Sequence, residues 1–247
     1  MLAGLWVCAA TYIYDQSGFS FSGAIRANPI VSNVTMTAYT GWPDNLSGIK
    51  DASFAGGVFD GQSVWFVPAN ANAVVRINVS TGVMTAFTRW PAAVTNVGKN
   101  TFRGAAFDGV SIWFGPYNTD VLVRLYTDNG NITAYALPSA LSSFSSKIFN
   151  GCLFDGVSIW LIPFSASAIV RVSVNGTAIV ANTYVNASVG FGNAAFGSGV
   201  FDGASIWLLP YTAKVVVRIN VSDGAMAAYN GWPSGAASCT TFQGGCV

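Results

Sequence analysis

FDGVSIW stands at residues 107–113 and again at 154–160, with FDGQSVW at 59–65 and FDGASIW at 201–207. The aspartates of successive copies are 48, 47 and 47 residues apart. A site for chemistry is normally written once, whereas a heptapeptide written in every repeat builds the scaffold. Aligned on the Asp-Gly pair, each repeat reads as four short segments. A Gly-rich piece comes first: FAGGVF, FRGAAF, FNGCLF and FGSGVF. An apolar piece ending in Pro follows (SVWFVP, SIWFGP, SIWLIP, SIWLLP), then one carrying an arginine (AVVRIN, VLVRLY, AIVRVS, VVVRIN). The fourth alternates, as in VMTAFT and AMAAYN. β-Branched and aromatic residues dominate and turn residues separate the segments, so all four read as strands. No segment keeps a helical period.

Four strands per unit at this period is the pattern of a β-propeller blade. The expectation is an all-β, five-bladed propeller of four-stranded antiparallel blades, forming a single domain over residues 1–247. Blades 2–5 fall at 54–91, 102–138, 149–185 and 196–233. Blade 1 combines residues 1–43 with 241–247, because GLWV, AIRAN and VTMTAYTGWP match second, third and fourth strands while TFQGGCV matches a first strand. Strands from both termini would close this blade and remove the open sheet edges. Closure within one chain and closure in trans between subunits both satisfy the pattern. Glycine in the first strands fits the crowding near the axis of a small propeller.

Composition narrows the function. Eleven Lys+Arg oppose ten Asp; the chain has no Glu and no His, and only 9% of its residues are charged against 52% hydrophobic. That balance argues against nucleic acid as a partner, which calls for a basic patch. No apolar run reaches the roughly 18 residues of a membrane helix, so no membrane span is expected. Without His or Glu there is no Ser-His or Cys-His pair and no tuned glutamate, so the chain reads as a non-enzyme. A glycoside hydrolase would need two carboxylates beside the axial cleft. Outside the repeat only Asp15, Asp44, Asp51, Asp120, Asp128 and Asp223 could supply them.

The repeated residues read as scaffold. Sixteen positions separate Asp60 from Arg76, Asp108 from Arg124, Asp155 from Arg171 and Asp202 from Arg218, a constant spacing that suggests structural ion pairs. A ring of those carboxylates around a cation is the alternative; no metal and no cofactor are expected. Trp65, Trp113, Trp160 and Trp207 read as packing between blades, and Trp42, Trp90 and Trp232 lie in Trp-Pro loops that either pack or stack on sugars. Cys246 and Cys8 fall on neighbouring strands of the closing blade and form a candidate disulfide, with Cys239 a competing partner; Cys152 reads as a buried free thiol.

Asn-x-Ser/Thr occurs seven times, at Asn33, Asn45, Asn78, Asn131, Asn175, Asn186 and Asn220. Asn33, Asn78, Asn131, Asn175 and Asn220 fall in or beside the turn between the third and fourth strands, one per blade. Sequons mark exposed loops of secreted eukaryotic proteins. One in every blade would set a crown of N-glycans around one end of the propeller and keep so uncharged a protein in solution.

The units GGVFDGQSVWFVPANANAVVRIN (56–78) and GVFDGASIWLLPYTAKVVVRIN (199–220) resemble a broad group of secreted FDG-type β-propeller repeat proteins and, more distantly, virginiamycin B lyase-like propellers. The resemblance implies the fold and secretion. The lyase activity rests on a catalytic His, which this chain lacks. The combined expectation is a secreted, extracellular, non-catalytic glycoprotein that assembles head-to-tail with copies of itself into a filament, hair or coat. A lectin-like module binding extracellular carbohydrate is the alternative.

Overall fold

The computed structural model describes residues 37–47, 52–137, 147–175, 178–185, 189 and 191–232. The chain divides into two units, residues 1–40 and 41–247. Of the first, the described residues 37–40 are exposed and carry no regular secondary structure. All sixteen described strands belong to the second unit.

They form four antiparallel sheets of four strands, each in sequence order. Blade 2 holds β1 (Phe54–Phe59), β2 (Ser63–Pro68), β3 (Val74–Asn78) and β4 (Met84–Phe87). Blade 3 holds β5 (Phe102–Phe107), β6 (Ser111–Pro116), β7 (Val121–Tyr126) and β8 (Ile132–Ala136). Blade 4 holds β9 (Phe149–Phe154), β10 (Ile159–Pro163), β11 (Ile169–Asn175) and β12 (Ala178–Tyr184). Blade 5 holds β13 (Phe196–Phe201), β14 (Ser205–Pro210), β15 (Val216–Asn220) and β16 (Met226–Tyr229). The strand content of the repeat is as its alternation predicts.

The expected ring of five is not what the described residues contain. They make four sheets, and no described strand closes them. The blade expected from residues 1–43 and 241–247 lies outside the described residues except for 37–43, which form no strand. The trans and cis closures, the Cys8–Cys246 pair and Cys239 lie outside them too.

The first strands of successive blades lie against one another, β1 on β5, β5 on β9 and β9 on β13. Their glycines permit this. A Cβ on Gly104 would stand 2.9 Å from Gly151 Cα, and one on Gly115 would stand 2.7 Å from the same atom, so the backbones of blades 3 and 4 approach as only glycine allows. Second strands are buried on both faces, which explains their nearly continuous apolar sequences. One apolar cluster joins blades 2 and 3 around Trp65, Phe102 and Phe114, another joins 3 and 4 around Trp113 and Phe149, and a third joins 4 and 5 around Trp160 and Phe196. Fourth strands are half-buried in β4 and mostly exposed in β16.

Backbone hydrogen bonds also pass from blade to blade along one end of the sheets. The amide of Ala69 donates to Ser53 O, Thr101 to Ala69, Tyr117 to Thr101, Ile148 to Tyr117, Phe164 to Ile148, Ala195 to Phe164 and Tyr211 to Ala195, all between 2.8 and 3.0 Å. This belt satisfies the loop backbone where the second strands end and the first begin.

Candidate functional site

The Asp-Gly hairpins occupy the opposite end of the sheets. Gly61, Gly109, Gly156 and Gly203 all have φ between 92° and 98°, the region the tight turn needs and glycine enters freely. Each aspartate is spent inside its own blade. Asp60 Oδ1 accepts from the Gln62 and Ser63 amides at 2.8 and 2.6 Å, and its Oδ2 accepts from Trp65 Nε1 at 2.6 Å. Asp108, Asp155 and Asp202 repeat this on Trp113, Trp160 and Trp207.

The arginine sixteen positions on stands directly across the ladder from the tryptophan, Trp65 opposite Arg76 and likewise in the other three blades. Its guanidinium lies over the indole, 4.9–5.6 Å from the centroid. Asp108–Arg124 and Asp155–Arg171 are in ion-pair contact at 3.3 and 3.6 Å. Arg76 and Arg218 act on Asp60 and Asp202 through space. Arg124, Arg171 and Arg218 also donate from Nε to Ser111, Ser158 and Ser205 at 2.8–3.0 Å. The spacing alone pointed to Asp–Arg pairs. The structure makes the indole N–H and two amides the main partners of the carboxylate, with the arginine completing the set in two blades. The constant five-residue step from Asp to Trp, and the serine between them, carried that signal.

At Asp60 burial pushes the carboxyl up, but the Trp65, Gln62 and Ser63 hydrogen bonds and Arg76 outweigh it and hold the group below its ordinary value of 3.8. At exposed Asp202 the Trp207 hydrogen bond leads, joined by two amides, and again holds the group low. Both oxygens of each repeat aspartate are engaged in its own blade. Among the described residues no group of three His, Cys, Asp or Glu could hold a metal. The loop aspartates Asp44, Asp120, Asp128 and Asp223 are exposed; Asp15 and Asp51 lie outside the described residues.

The sequon turns of blades 2 and 5 share one plan, whereas in blade 3 Asn129 Oδ1 holds the turn by accepting from the Asn131 amide at 2.8 Å. Asn78 Oδ1 accepts from the Ser80 and Thr81 amides at 3.0 Å, and Asn220 Oδ1 accepts from the Ser222 amide and hydroxyl at 2.9 and 2.8 Å. Among the described hydrogen bonds, each side-chain amide uses only its carbonyl oxygen. Asn131 and Asn45 are exposed. Asn175 ends β11, and its side chain lies outside the described set, as do Asn33 and Asn186 entirely. Glycines in these turns lie against rings of the preceding blade, Gly130 on Phe87 and Gly224 on Tyr184.

The Trp-Pro loops pack. Trp42 stacks on Phe54 at 5.8 Å and Trp90 on Phe102 at 5.6 Å. Trp90 and Trp232 donate to the Asn72 and Lys214 carbonyls of their own blades. Cys152 is a buried free thiol; burial pushes it up to about 12, where it is inert as a nucleophile.

Neither the comparison with family models nor that with curated proteins finds a match. Solved structures similar to this chain are propellers. The WD40 repeats of RRP9 share 10% identity, cover 72% of this chain and 51% of theirs, and give a TM-score of 0.53. The dihydro-heme d1 dehydrogenase NirN shares 17%, covers 71% of this chain and 36% of its own, and gives 0.52. The chain thus spans about half or less of either neighbour's length. A streptogramin B lyase structure shares 20% over 73% of this chain and 69% of its own, with a TM-score of 0.41. With its four sheets, the chain has a β-propeller fold.

Proposed function

We propose that this chain is a non-catalytic, N-glycosylated extracellular structural protein, a five-bladed propeller that repeats as the subunit of a filament, hair or surface coat. The observation that carries the reading is the construction of the sequon turns. Asn78 and Asn220 hold their turns through Oδ1, an acceptor that an N-linked glycan leaves in place, while Nδ2, the atom that would carry the sugar, makes no described hydrogen bond. A glycan can therefore sit on the turn without dismantling it. The exposure of Asn131 and Asn45 supports the same modification.

The absence of catalysis is supported by the closed carboxylate networks, which use the repeat aspartates structurally. The fifth blade is supported by the sequence of residues 1–43 and 241–247 and by the apolar face of blade 5, where half-buried Trp207 stacks on Tyr229, which is 45% exposed. Apolar surface between glycans would supply the contact from copy to copy.

The test is electron microscopy of the protein secreted from a eukaryotic host, alongside intact mass before and after enzymatic removal of N-glycans. Filaments with an axial repeat near one propeller's thickness, and a mass that falls by several glycans, are expected. Dispersed monomers at high concentration would sink the structural reading, and an unchanged mass would sink the glycan reading.

A further inference from the structure

Each innermost strand opens on a bulge that pushes one or two residues out of the ladder, and Ala55, Arg103, Asn150 and Gly197 are the first of these in blades 2–5. Bulges re-aim side chains and gather at rims and sites. Blades 3 and 4 use theirs for polar groups. The Arg103 guanidinium lies 3.9 Å from the centroid of the Tyr117 ring, and its Nη1 is 3.5 Å from Asn150 Oδ1. Asn150 Nδ2 donates in turn to Gly197 O at 2.6 Å, which fixes its oxygen toward the arginine. Tyr117, Phe164 and Tyr211 follow one another in an arc with 5.8 Å between successive centroids. Blade 2 has Ala69 at the matching position of the belt.

None of this is demanded by the repeat. The scaffold arginines Arg124 and Arg171 have carboxylate partners within 4 Å, and Arg218 has a serine hydroxyl. Among the described residues Arg103 has no carboxylate within that distance. Its one described acceptor is a neutral amide at the edge of hydrogen-bond range. The result is a cation held by a ring below and an amide beside, with half-buried Phe164 packed on that ring and half-buried Tyr211 packed in turn on Phe164.

We propose that this bulge cluster is a recognition site for the carboxylate of an acidic saccharide, with Arg103 as the charged anchor and Phe164 and Tyr211 as an apolar ledge. The guanidinium fork matches a carboxylate bidentately, and stacking on Tyr117 has already restricted its rotamers, so less freedom is lost on binding. A single positive charge suits one carboxylate rather than a polyphosphate backbone, whose binding takes many cations. Flat rings beside one fixed polar group give the mixed lining of a small-ligand site. The site stands independently of the structural role proposed above and of any glycan on the chain.

The experiment is a calorimetric titration of the full glycosylated chain with trigalacturonate at low salt, repeated with neutral trigalactose and with inorganic sulfate. Saturable binding of trigalacturonate with a Kd of about 1 mM or tighter is expected. Trigalactose and Arg103→Gln should each weaken it at least about tenfold, while Arg89→Ala, which removes an exposed cation after β4 of blade 2, leaves it unchanged. Arg103→Lys keeps the charge without the fork and serves where Arg103→Gln fails to fold; it should also weaken binding several-fold. No saturation by about 10 mM, equal binding by Arg103→Gln or Arg103→Lys, or sulfate and trigalactose binding as tightly as trigalacturonate would each overturn the assignment.

Discussion

Replacing Asp108 by alanine removes the acceptor of the Trp113 indole N–H and of two hairpin amides, and strips Arg124 of its carboxylate. Side-chain exposure is only 14% at Asp108 and 16% at Arg124, so water replaces those bonds poorly. The expected loss is about 3 kcal/mol, read as a lower denaturant midpoint. Asp108→Asn keeps one acceptor oxygen and should lose less. The counterparts in blades 2 and 5, Asp60 and Asp202, respond to acid. Asp60 and Asp202 are held below 3.8, so their contribution is fully present above that value and is lost as pH falls through their lowered folded-state values. Stability should therefore be flat from neutral pH down to about 4 and fall below it. Asp60→Asn should lower the plateau and make the acid limb shallower, which denaturant melts across pH 2–6 would measure. An acid limb of unchanged slope in that variant would remove Asp60 from the account.

At the scale of the strand, the contact between blades 3 and 4 rests on missing side chains. Gly115 occupies a place where the other second strands carry Val67, Ile162 and Leu209, and a Cβ there would meet Arg103 O at 2.5 Å and Gly151 Cα at 2.7 Å. Gly115→Ala must force two backbones apart, at a cost of about 3 kcal/mol. Gly109→Ala meets nothing within 4 Å and costs only the strain of a positive φ, about 1 kcal/mol. Urea midpoints should rank the two variants in that order; equal losses would mean the close approach is not what stabilises the interface. Strands and hairpins of this kind were legible because they are local: Asp-Gly turns, alternation and terminal prolines sit within a few residues of one another. The role of Trp65 as the carboxylate's donor was less so, since the opposite charges at sixteen residues drew the eye past the closer partner at five. Arg103 was not legible at all. FRG and FAG differ by one residue in the string, and only the bulge and the neighbouring blade reveal where that residue points.

At the scale of the molecule, the surface is the unusual feature. With 9% charged residues, and Val79, Val83, Val110 and Val157 exposed on hairpins and turns, there is little fixed charge to keep copies apart. Under the proposed function, glycans on the turns between third and fourth strands do that work, in the same region as Val79 and Val83. The sequons can be removed without touching the asparagines that hold the turns. Ser80→Ala leaves Asn78 Oδ1 bonded to both amides, Thr133→Val preserves shape beside Arg124, and Ser222→Ala removes one hydroxyl bond to Asn220 while keeping the amide bond. The triple variant, secreted from a eukaryotic host, should lose three glycan masses and melt within about 1 kcal/mol of wild type, because the hydrogen bonds removed are exposed at Ser222 and long, at 3.5 Å, at Thr133. It should also begin to associate at a concentration at least about tenfold lower, followed by light scattering. Loss of glycan mass with unchanged association would separate the two halves of the argument, leaving the turns modified but the apolar surface kept soluble by something other than their sugars.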